Sequence, residues 1–301
     1  MVADNDIRSK LLDRVMRAGY DVDRISGFNV LIAGMGTIGC ELARILALYG
    51  VGKLTLVDDD IVEFENVGRQ SLYDLNDAEI GKKKVLAAKE KLEEIMPGLD
   101  VETFSFTIPN PLSPAVTVEI DGKVYGYDAY ENLDKIEEIV KKSDVVISGV
   151  DNFSTRRTLE ILSLGNHKPF INTGIEETRG GVRTLLTGEN NSCIGCYQRG
   201  IAWLRGGYEV EPEGGCTIAS LSAIQVAAAI AADNFIKMVH GEKGEWRYGR
   251  PANLISFDLK TNKFNSYQFP RDANCEICVK GVEKYLSEGS SSILYLSSEE
   301  D

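Results

Sequence analysis

The chain has 301 residues, of which 43% are hydrophobic, and its 33 basic and 46 acidic side chains give a net charge of −13. This length suits one large domain or two closely packed ones, and the acidic balance argues against nucleic-acid binding, which calls for a basic face. The chain starts without the apolar core of a signal peptide, and the apolar run 223–236 is interrupted by Asp233 and Asn234. We therefore expect a cytoplasmic protein without a membrane segment, whose six cysteines are thiols or metal ligands rather than disulfides.

The first half of the chain alternates between strand and helix patterns, with a glycine-rich loop after the first strand. Such alternation predicts a Rossmann-like α/β fold, doubly wound around a mostly parallel sheet. In chain order the predicted segments are a helix ending near Gly19, strand 29–33, helix 40–49, strand 53–58, helix 81–96, strand 101–107, a hairpin of strands 116–120 and 123–127, helix 131–142, strand 144–149, helix 154–164 and strand 169–173.

Beyond Gly174 the alternation stops, and we expect a C-terminal antiparallel extension of the sheet. The serine-rich and acidic end of the chain, 289–301, is expected to be a flexible tail. This leaves one domain over residues 1–288. Its remaining predicted segments are a strand at 181–186, a glycine-rich loop at 197–215, a long apolar helix at 218–239 and a hairpin at 253–269.

The glycine loop reads Gly34-x-Gly36-x-x-Gly39 and lies between a strand and a helix, the position of a phosphate-binding loop. Asp58 follows at the end of the second strand, where an acid holds ribose hydroxyls. On these features alone a dehydrogenase remains open, because such loops more often bind NAD or FAD than ATP.

Positive charge near this loop favours triphosphate chemistry. Asn66 and Arg69 come soon after Asp58, and three lysines at 82–84 begin the next helix. A pyrophosphate leaving group gains negative charge in the transition state, and Arg and Lys side chains stabilise it. A solvated helix face is the alternative explanation for Lys82 and Lys83.

Five motifs together carry a family resemblance. The sequence resembles the ThiF/MoeB and ubiquitin-activating enzymes from about residue 14 to about residue 285. The resemblance implies that ATP is bound and that the C-terminal carboxylate of a ubiquitin-like protein attacks its α-phosphate. The matching motifs, in order, are Gly34-x-Gly36-x-x-Gly39, Asp58-x-Asp60, Asn66-x-x-Arg69-Gln70, Gly81-x-x-Lys84 and Val150-Asp151-Asn152.

The resemblance also implies roles for single residues within these motifs. Asp58 would hold the ribose, while Asn66, Arg69 and Lys84 would hold the phosphates. Asp151 would coordinate Mg²⁺, an ion that favours a carboxylate together with phosphate oxygens. The remaining motif residues assigned to the nucleotide site are Asp60, Gln70 and Asn152, and a helix N-cap role for 151–152 is compatible with this one.

Four cysteines form two Cys-x-x-Cys pairs, Cys193 with Cys196 and Cys275 with Cys278. Each pair can present two thiolates to one tetrahedral zinc ion, and the family resemblance places paired cysteines here as well. The separation of the pairs is too long for a zinc ribbon and suits a structural site that joins distant parts of one fold. Two independent redox pairs or buried thiols are the alternative.

Cys216 is the candidate nucleophile. It precedes the long apolar helix, and a thiol at a helix N-terminus is stabilised as a thiolate. In the thioester-forming branch of the family the catalytic cysteine stands about 20 residues after the first zinc pair, and Cys216 follows Cys196 by 20 positions. A buried cysteine that caps the helix is the alternative. Cys40, just after the glycine loop, is interpreted as a packing residue.

Within the family the sequence is most similar to the compact homodimeric activators of ubiquitin-like proteins. This implies a homodimer in which Arg14 completes the partner's ATP site, and transfer of the carrier to a conjugating enzyme. Residues 1–288 would then be the adenylation domain, including the zinc site and the catalytic cysteine loop. The alternatives are a sulfur-carrier adenylyltransferase of the molybdopterin or thiamine type and a non-catalytic nucleotide-binding scaffold.

The tail contains a short apolar run, Ile293–Leu296, followed by acidic residues. Such a run can add as a strand to an exposed sheet edge. We expect it either to help hold the ubiquitin-like carrier or to pack on the chain's own surface.

Overall fold

The computed structural model describes residues 2–109, 117–120, 123–126, 132–187, 192–196, 219–241 and 248–289. The helices are α1 (Val2–Arg17), α2 (Val22–Ser26), α3 (Thr37–Tyr49), α4 (Phe64–Val67), α5 (Leu75–Glu79), α6 (Lys84–Ile95), α7 (Leu133–Lys142), α8 (Phe153–Gly165), α9 (Leu221–His240), a π-helix (Glu276–Gly281) and α10 (Val282–Glu288). The strands are β1 (Asn29–Ala33), β2 (Lys53–Val57), β3 (Asp100–Phe104), β4 (Thr117–Ile120), β5 (Lys123–Gly126), β6 (Val145–Ser148), β7 (Phe170–Glu176), β8 (Arg179–Leu185), β9 (Leu254–Asp258) and β10 (Lys263–Tyr267).

Eight strands form one sheet in the order β10-β9-β8-β7-β6-β1-β2-β3. The five strands from β7 to β3 in this order are parallel, and β8, β9 and β10 are antiparallel. Helical crossovers connect the parallel strands, whereas the short connection from β7 to β8 permits only an antiparallel pair. The predicted mostly parallel sheet with an antiparallel C-terminal extension is confirmed, as is the separate hairpin of β4 and β5.

Both faces of the sheet are covered, so alternate residues of β1 enter two different cores. Val30 and Ile32 pack with α3 and α9, while Leu31 and Ala33 pack with α7, α8 and the cysteine pairs. Among the described helices, α9 is long and apolar enough to cross a membrane by length and composition. Its buried alanines pack against α3 and the β7–β8 pair, which confirms the prediction of a core helix.

Two features of the C-terminal half differ from the sequence prediction. Helix α9 begins at Leu221, three residues later than predicted, because the Ser220 side chain accepts the Ala223 N–H at 3.2 Å. The helix-terminus argument for a Cys216 thiolate stays a prediction. The π-helix and α10 after Cys275 had no counterpart in the prediction. The predicted loop 197–215, Cys216 itself and the tail from residue 290 lie outside the described residues.

Candidate functional site

The glycine loop is shaped by close backbone contacts at the carboxyl end of β1. Gly34 has a φ of +88°, and a Cβ there would lie 2.9 Å from the Gly149 carbonyl carbon. A Cβ on Gly39 would lie 2.0 Å from the Gly34 oxygen, so α3 starts directly on the loop. At Gly36 a Cβ would meet nothing within 4 Å. The loop is therefore closed towards the protein and open at Gly36, where the α3 N-terminus begins and favours an anion.

Both backbone polar groups of Met35, in the middle of this loop, are hydrogen-bonded. Its N–H donates to Asp58 Oδ2 at 2.6 Å, and its carbonyl accepts the Tyr73 hydroxyl at 2.7 Å. The Cys40 thiol is fully buried and donates to the same carbonyl at 3.4 Å. This agrees with the prediction that Cys40 is a packing residue. Tyr73 was missed because it lies between two short helices, where periodicity gives no signal.

Asp58 lies at the end of β2, where the sequence predicted it. One carboxylate oxygen accepts the Met35 N–H, and the other accepts the Asp60 N–H at 2.9 Å. Burial raises the pKa of Asp58, while these two N–H groups and the Lys84 ammonium act in the opposite direction. The carboxylate thus connects the glycine loop to the acidic turn after β2.

Of the three neighbouring lysines, Lys84 alone is buried and pairs with a carboxylate of this turn. Its ammonium lies 2.7 Å from Asp60 Oδ2, and its side chain is 8% exposed. Lys83 is exposed and donates to the Asp59 carbonyl, so its ammonium also reaches the turn. Lys82 instead pairs with Asp77 and Glu90, and both Lys82 and Lys83 precede the first residue of α6.

The segment after the turn carries two buried carboxamide side chains. Asn66 is buried, and its Oδ1 accepts the Glu63 N–H at 3.0 Å, so it caps α4. Gln70 is 3% exposed, and its Oε1 has no hydrogen-bond partner among the described residues. Arg69 lies between them and is half-buried. The Asn66 side chain thus has a structural bond as well as an amide group that can donate.

Asp151 and Asn152 form the start of α8. The Asn152 side chain accepts the Thr155 N–H at 2.7 Å and is the N-cap of α8, a role that the sequence analysis considered compatible with nucleotide binding. Asp151 is exposed just before the helix. The Gly149 N–H donates to the Ala33 carbonyl, so the turn carrying Asp151 lies beside the glycine loop.

The four paired cysteines meet in one buried cluster. Their sulfur atoms all lie within 4.8 Å of one another, with Sγ–Sγ distances of 3.8 Å between Cys193 and Cys196, 3.3 Å between Cys193 and Cys275, and 3.5 Å between Cys196 and Cys278. Tetrahedral zinc with Zn–S bonds of about 2.3 Å requires sulfurs about 3.8 Å apart, so the donor set fits that ion. Hydrogen bonds with Cys193 lower the pKa of the Cys196 and Cys275 thiols, whereas the same contacts raise the pKa of Cys193.

The two remaining predicted site residues are Arg14 and Cys216. Arg14 is exposed on α1, on the same helical face as the exposed side chains of Ile7 and Leu11. Cys216 is outside the described residues; the described chain resumes at Ala219, which bridges to Glu177 just after β7. Arg14 thus lies on the surface of α1, and no contact among the described residues joins it to the glycine loop.

The chain is similar to known proteins over most of its length. The ThiF family profile matches residues 9–277. The ubiquitin-like modifier-activating enzyme ATG7 of Rattus norvegicus is 31% identical over 175 residues, which are 56% of this chain but only 24% of ATG7. The molybdopterin-synthase adenylyltransferase of Escherichia coli (strain K12) is 25% identical over 272 residues, 88% of this chain and 94% of that enzyme.

A solved structure shares the same fold. E. coli MccB, determined with ATP, superposes with a TM-score of 0.63 at 22% sequence identity, over 85% of this chain and 68% of MccB. The resemblance inferred from five motifs thus extends over almost the whole chain, from α1 to the second cysteine pair. The glycine loop, the acidic turn with Lys84 and the paired cysteines are features of a protein that belongs to the ThiF family.

Proposed function

We propose that this chain activates a ubiquitin-like protein with ATP. It adenylates the C-terminal glycine of that carrier, captures the carrier as a thioester on Cys216 and passes it to a conjugating enzyme. The observation that carries the adenylation step is the convergence of the open glycine loop, Asp58 and Lys84 at the carboxyl ends of β1 and β2. In open α/β sheets this edge is where nucleotides bind.

In the first step a carboxylate oxygen of the carrier attacks the α-phosphorus of ATP, and pyrophosphate leaves. Asp58 binds the ribose hydroxyls, and Lys84 with Asn66 and Arg69 offsets the charge that develops on pyrophosphate. Mg²⁺ would be held by Asp151 together with phosphate oxygens.

In the second step the Cys216 thiolate attacks the acyl carbonyl of the carrier adenylate. A C–S bond forms, the C–O bond to phosphate breaks, and AMP leaves. The similarity to ATG7, which is named as a ubiquitin-like modifier-activating enzyme, supports this step.

A sulfur-carrier adenylyltransferase is the second candidate. It is favoured by the similarity to the molybdopterin-synthase adenylyltransferase, which extends over 88% of this chain and 94% of that enzyme. Such an enzyme would stop at the adenylate or pass it to sulfur.

One experiment tests the proposed function against these alternatives. The protein is incubated with ATP, Mg²⁺, labelled pyrophosphate and candidate carriers that end in glycine. We expect carrier-dependent ATP–pyrophosphate exchange and an adduct on non-reducing gels that dithiothreitol removes. Exchange without the adduct would favour the sulfur-carrier type, and nucleotide binding without exchange would favour a scaffold.

We also propose that the four clustered cysteines hold one structural zinc ion. All four thiolates would be ligands, so no position remains for chemistry, and removal of the metal should lower the melting temperature. Metal analysis of protein purified without a chelator should give about one zinc per chain. A zinc content near zero in folded protein would contradict the proposal.

We further propose a homodimer in which Arg14 of each subunit completes the ATP site of the other. Ile7, Leu11 and Arg14 share an exposed face of α1, and exposed apolar side chains at such spacing suit contact with another protein surface. We expect a dimer in sedimentation experiments, and we expect Arg14→Ala to reduce pyrophosphate exchange without dissociating the dimer.

Mixing two variants that each have low exchange activity tests whether Arg14 acts across the dimer. In a heterodimer of Arg14→Ala and Lys84→Ala chains, one site would receive both intact side chains only if Arg14 crosses to the partner. Equal mixing should restore about a quarter of wild-type exchange, because half of the dimers are mixed and each has one intact site. No recovery despite subunit exchange would mean that Arg14 does not act across the interface.

A further inference from the structure

Glu160 and Arg183 form a buried ion pair that the proposed chemistry does not use. Glu160 on α8 is 0% exposed, Arg183 on β8 is 6% exposed, and Nη2 of the arginine donates to Oε1 of the carboxylate. Nε and Nη1 of Arg183 have no hydrogen-bond partner among the described residues. A buried pair with unpaired donors is a weak source of stability, because removing both charges from water costs as much as their attraction returns.

The carboxylate of Glu160 also binds the first cysteine loop, residues 193–196. The backbone N–H of Ile194, directly after the ligand Cys193, donates to both carboxylate oxygens at 3.1 and 3.2 Å. Glu160 is separated from Ile194 by 34 positions in sequence and from Arg183 by 23. One side chain thus joins the cysteine loop to α8 and, through Arg183, to β8.

The position of this loop determines the spacing of the sulfur atoms. A Cβ on Gly195 would lie 3.0 Å from the Cys275 sulfur and 3.1 Å from Ile277, so the loop packs directly on the second cysteine pair. Zinc tolerates deviations of about 0.2 Å in its ligand distances. A rotation of the loop would therefore change the ligand geometry, and an anchor at Ile194 opposes that rotation.

Besides the anchor at Ile194, the pair has a second role, in which Arg183 compensates the charge of Glu160. One Zn²⁺ with four thiolates has a net charge of −2, and an isolated carboxylate next to it would be repelled in a medium of low dielectric constant. Because Arg183 offsets the carboxylate, Glu160 can accept a strong hydrogen bond beside the cysteines without adding net charge.

We propose that Glu160, compensated by Arg183, is a positioning residue of the cysteine cluster that keeps the first loop in its metal-binding conformation. The inference rests on the zinc site proposed above. It predicts that the pair controls how fast zinc leaves the protein, beyond any effect on overall stability.

The test uses the zinc-loaded protein and a chromogenic chelator, at a temperature well below the melting point of each variant. The double variant Glu160→Met/Arg183→Met removes the anchor without leaving a buried charge unpaired, so it should fold. We expect zinc release about 10–100-fold faster than in the wild type. Mutation of a group that supports a metal ligand typically lowers metal affinity by such a factor. Glu41→Met/Arg44→Met, at the ion pair on α3, is the matched control and should release zinc at the wild-type rate.

Glu160→Gln/Arg183→Met provides a second variant, which keeps an acceptor for the Ile194 N–H without leaving the Arg183 charge buried and unpaired. Its amide accepts this N–H more weakly than a carboxylate, so release should accelerate less than in the first double variant. Wild-type release rates in both Glu160 variants would overturn the inference, as would an equal acceleration in the α3 control. A wild-type protein without zinc would instead refute the zinc site itself.

Discussion

Replacing Lys84 with alanine should lower carrier-dependent ATP–pyrophosphate exchange by about 10²–10³-fold, the loss expected when one group that stabilises transition-state charge is removed. The Lys84 side chain is only 8% exposed and lies beside the acidic turn that Asp58 begins. In such a partly dry place an ammonium interacts more strongly with a pyrophosphate than it would in water. The fold should survive, because the Asp60 carboxylate is 64% exposed and water replaces its partner.

Lys83→Ala is the matched control for this prediction. Lys83 is adjacent in sequence and also cationic, but it is exposed and donates to a backbone carbonyl. We expect its exchange rate to stay within about twofold of the wild type, as for a typical surface substitution. Similar losses in both variants would show that a diffuse basic surface, rather than Lys84, acts on the phosphates.

Replacing Cys216 with alanine should abolish the thiol-reducible adduct with the carrier and leave pyrophosphate exchange largely intact. Adenylation uses the groups around the glycine loop, whereas capture requires a thiolate that attacks the acyl carbonyl. Non-reducing gels measure the adduct, and the exchange assay on the same preparation measures the first step. Loss of both activities would mean that Cys216 supports the nucleotide site rather than serving as the nucleophile.

Cys40→Ala is the control for the nucleophile. Cys40 is fully buried, and burial raises the pKa of its thiol to about 12, so at neutral pH it is protonated and a poor nucleophile. Its variant should keep the adduct. An adduct that persists in Cys216→Ala and disappears only when Cys40 is also replaced would assign capture to Cys40.

The sequence alone located the glycine loop and the cysteine pairs, because both depend on residue types at fixed local spacing. A phosphate loop needs Gly34 and Gly39 because the backbone there comes close to other backbone, and Gly36 because the loop is open there for a phosphate to approach. This requirement is visible in a six-residue window. Paired cysteines are recognisable for the same reason. The alternation of strands and helices likewise predicted the parallel half of the sheet, and the bounds of most elements were within a few residues.

Other features depended on contacts between distant segments, which no local pattern contains. Three consecutive lysines are equivalent in sequence. The backbone pairing of Ile61 with Lys83, and of Lys84 N–H with the Asp60 carbonyl, places Lys84 beside Asp60. The hydroxyl of Tyr73 reaches the Met35 carbonyl across 38 positions. Glu160 meets Ile194 only because α8 lies beside the cysteine cluster. Composition and periodicity determine which elements form, whereas the partner of a buried polar group is decided when those elements pack and water is excluded around it.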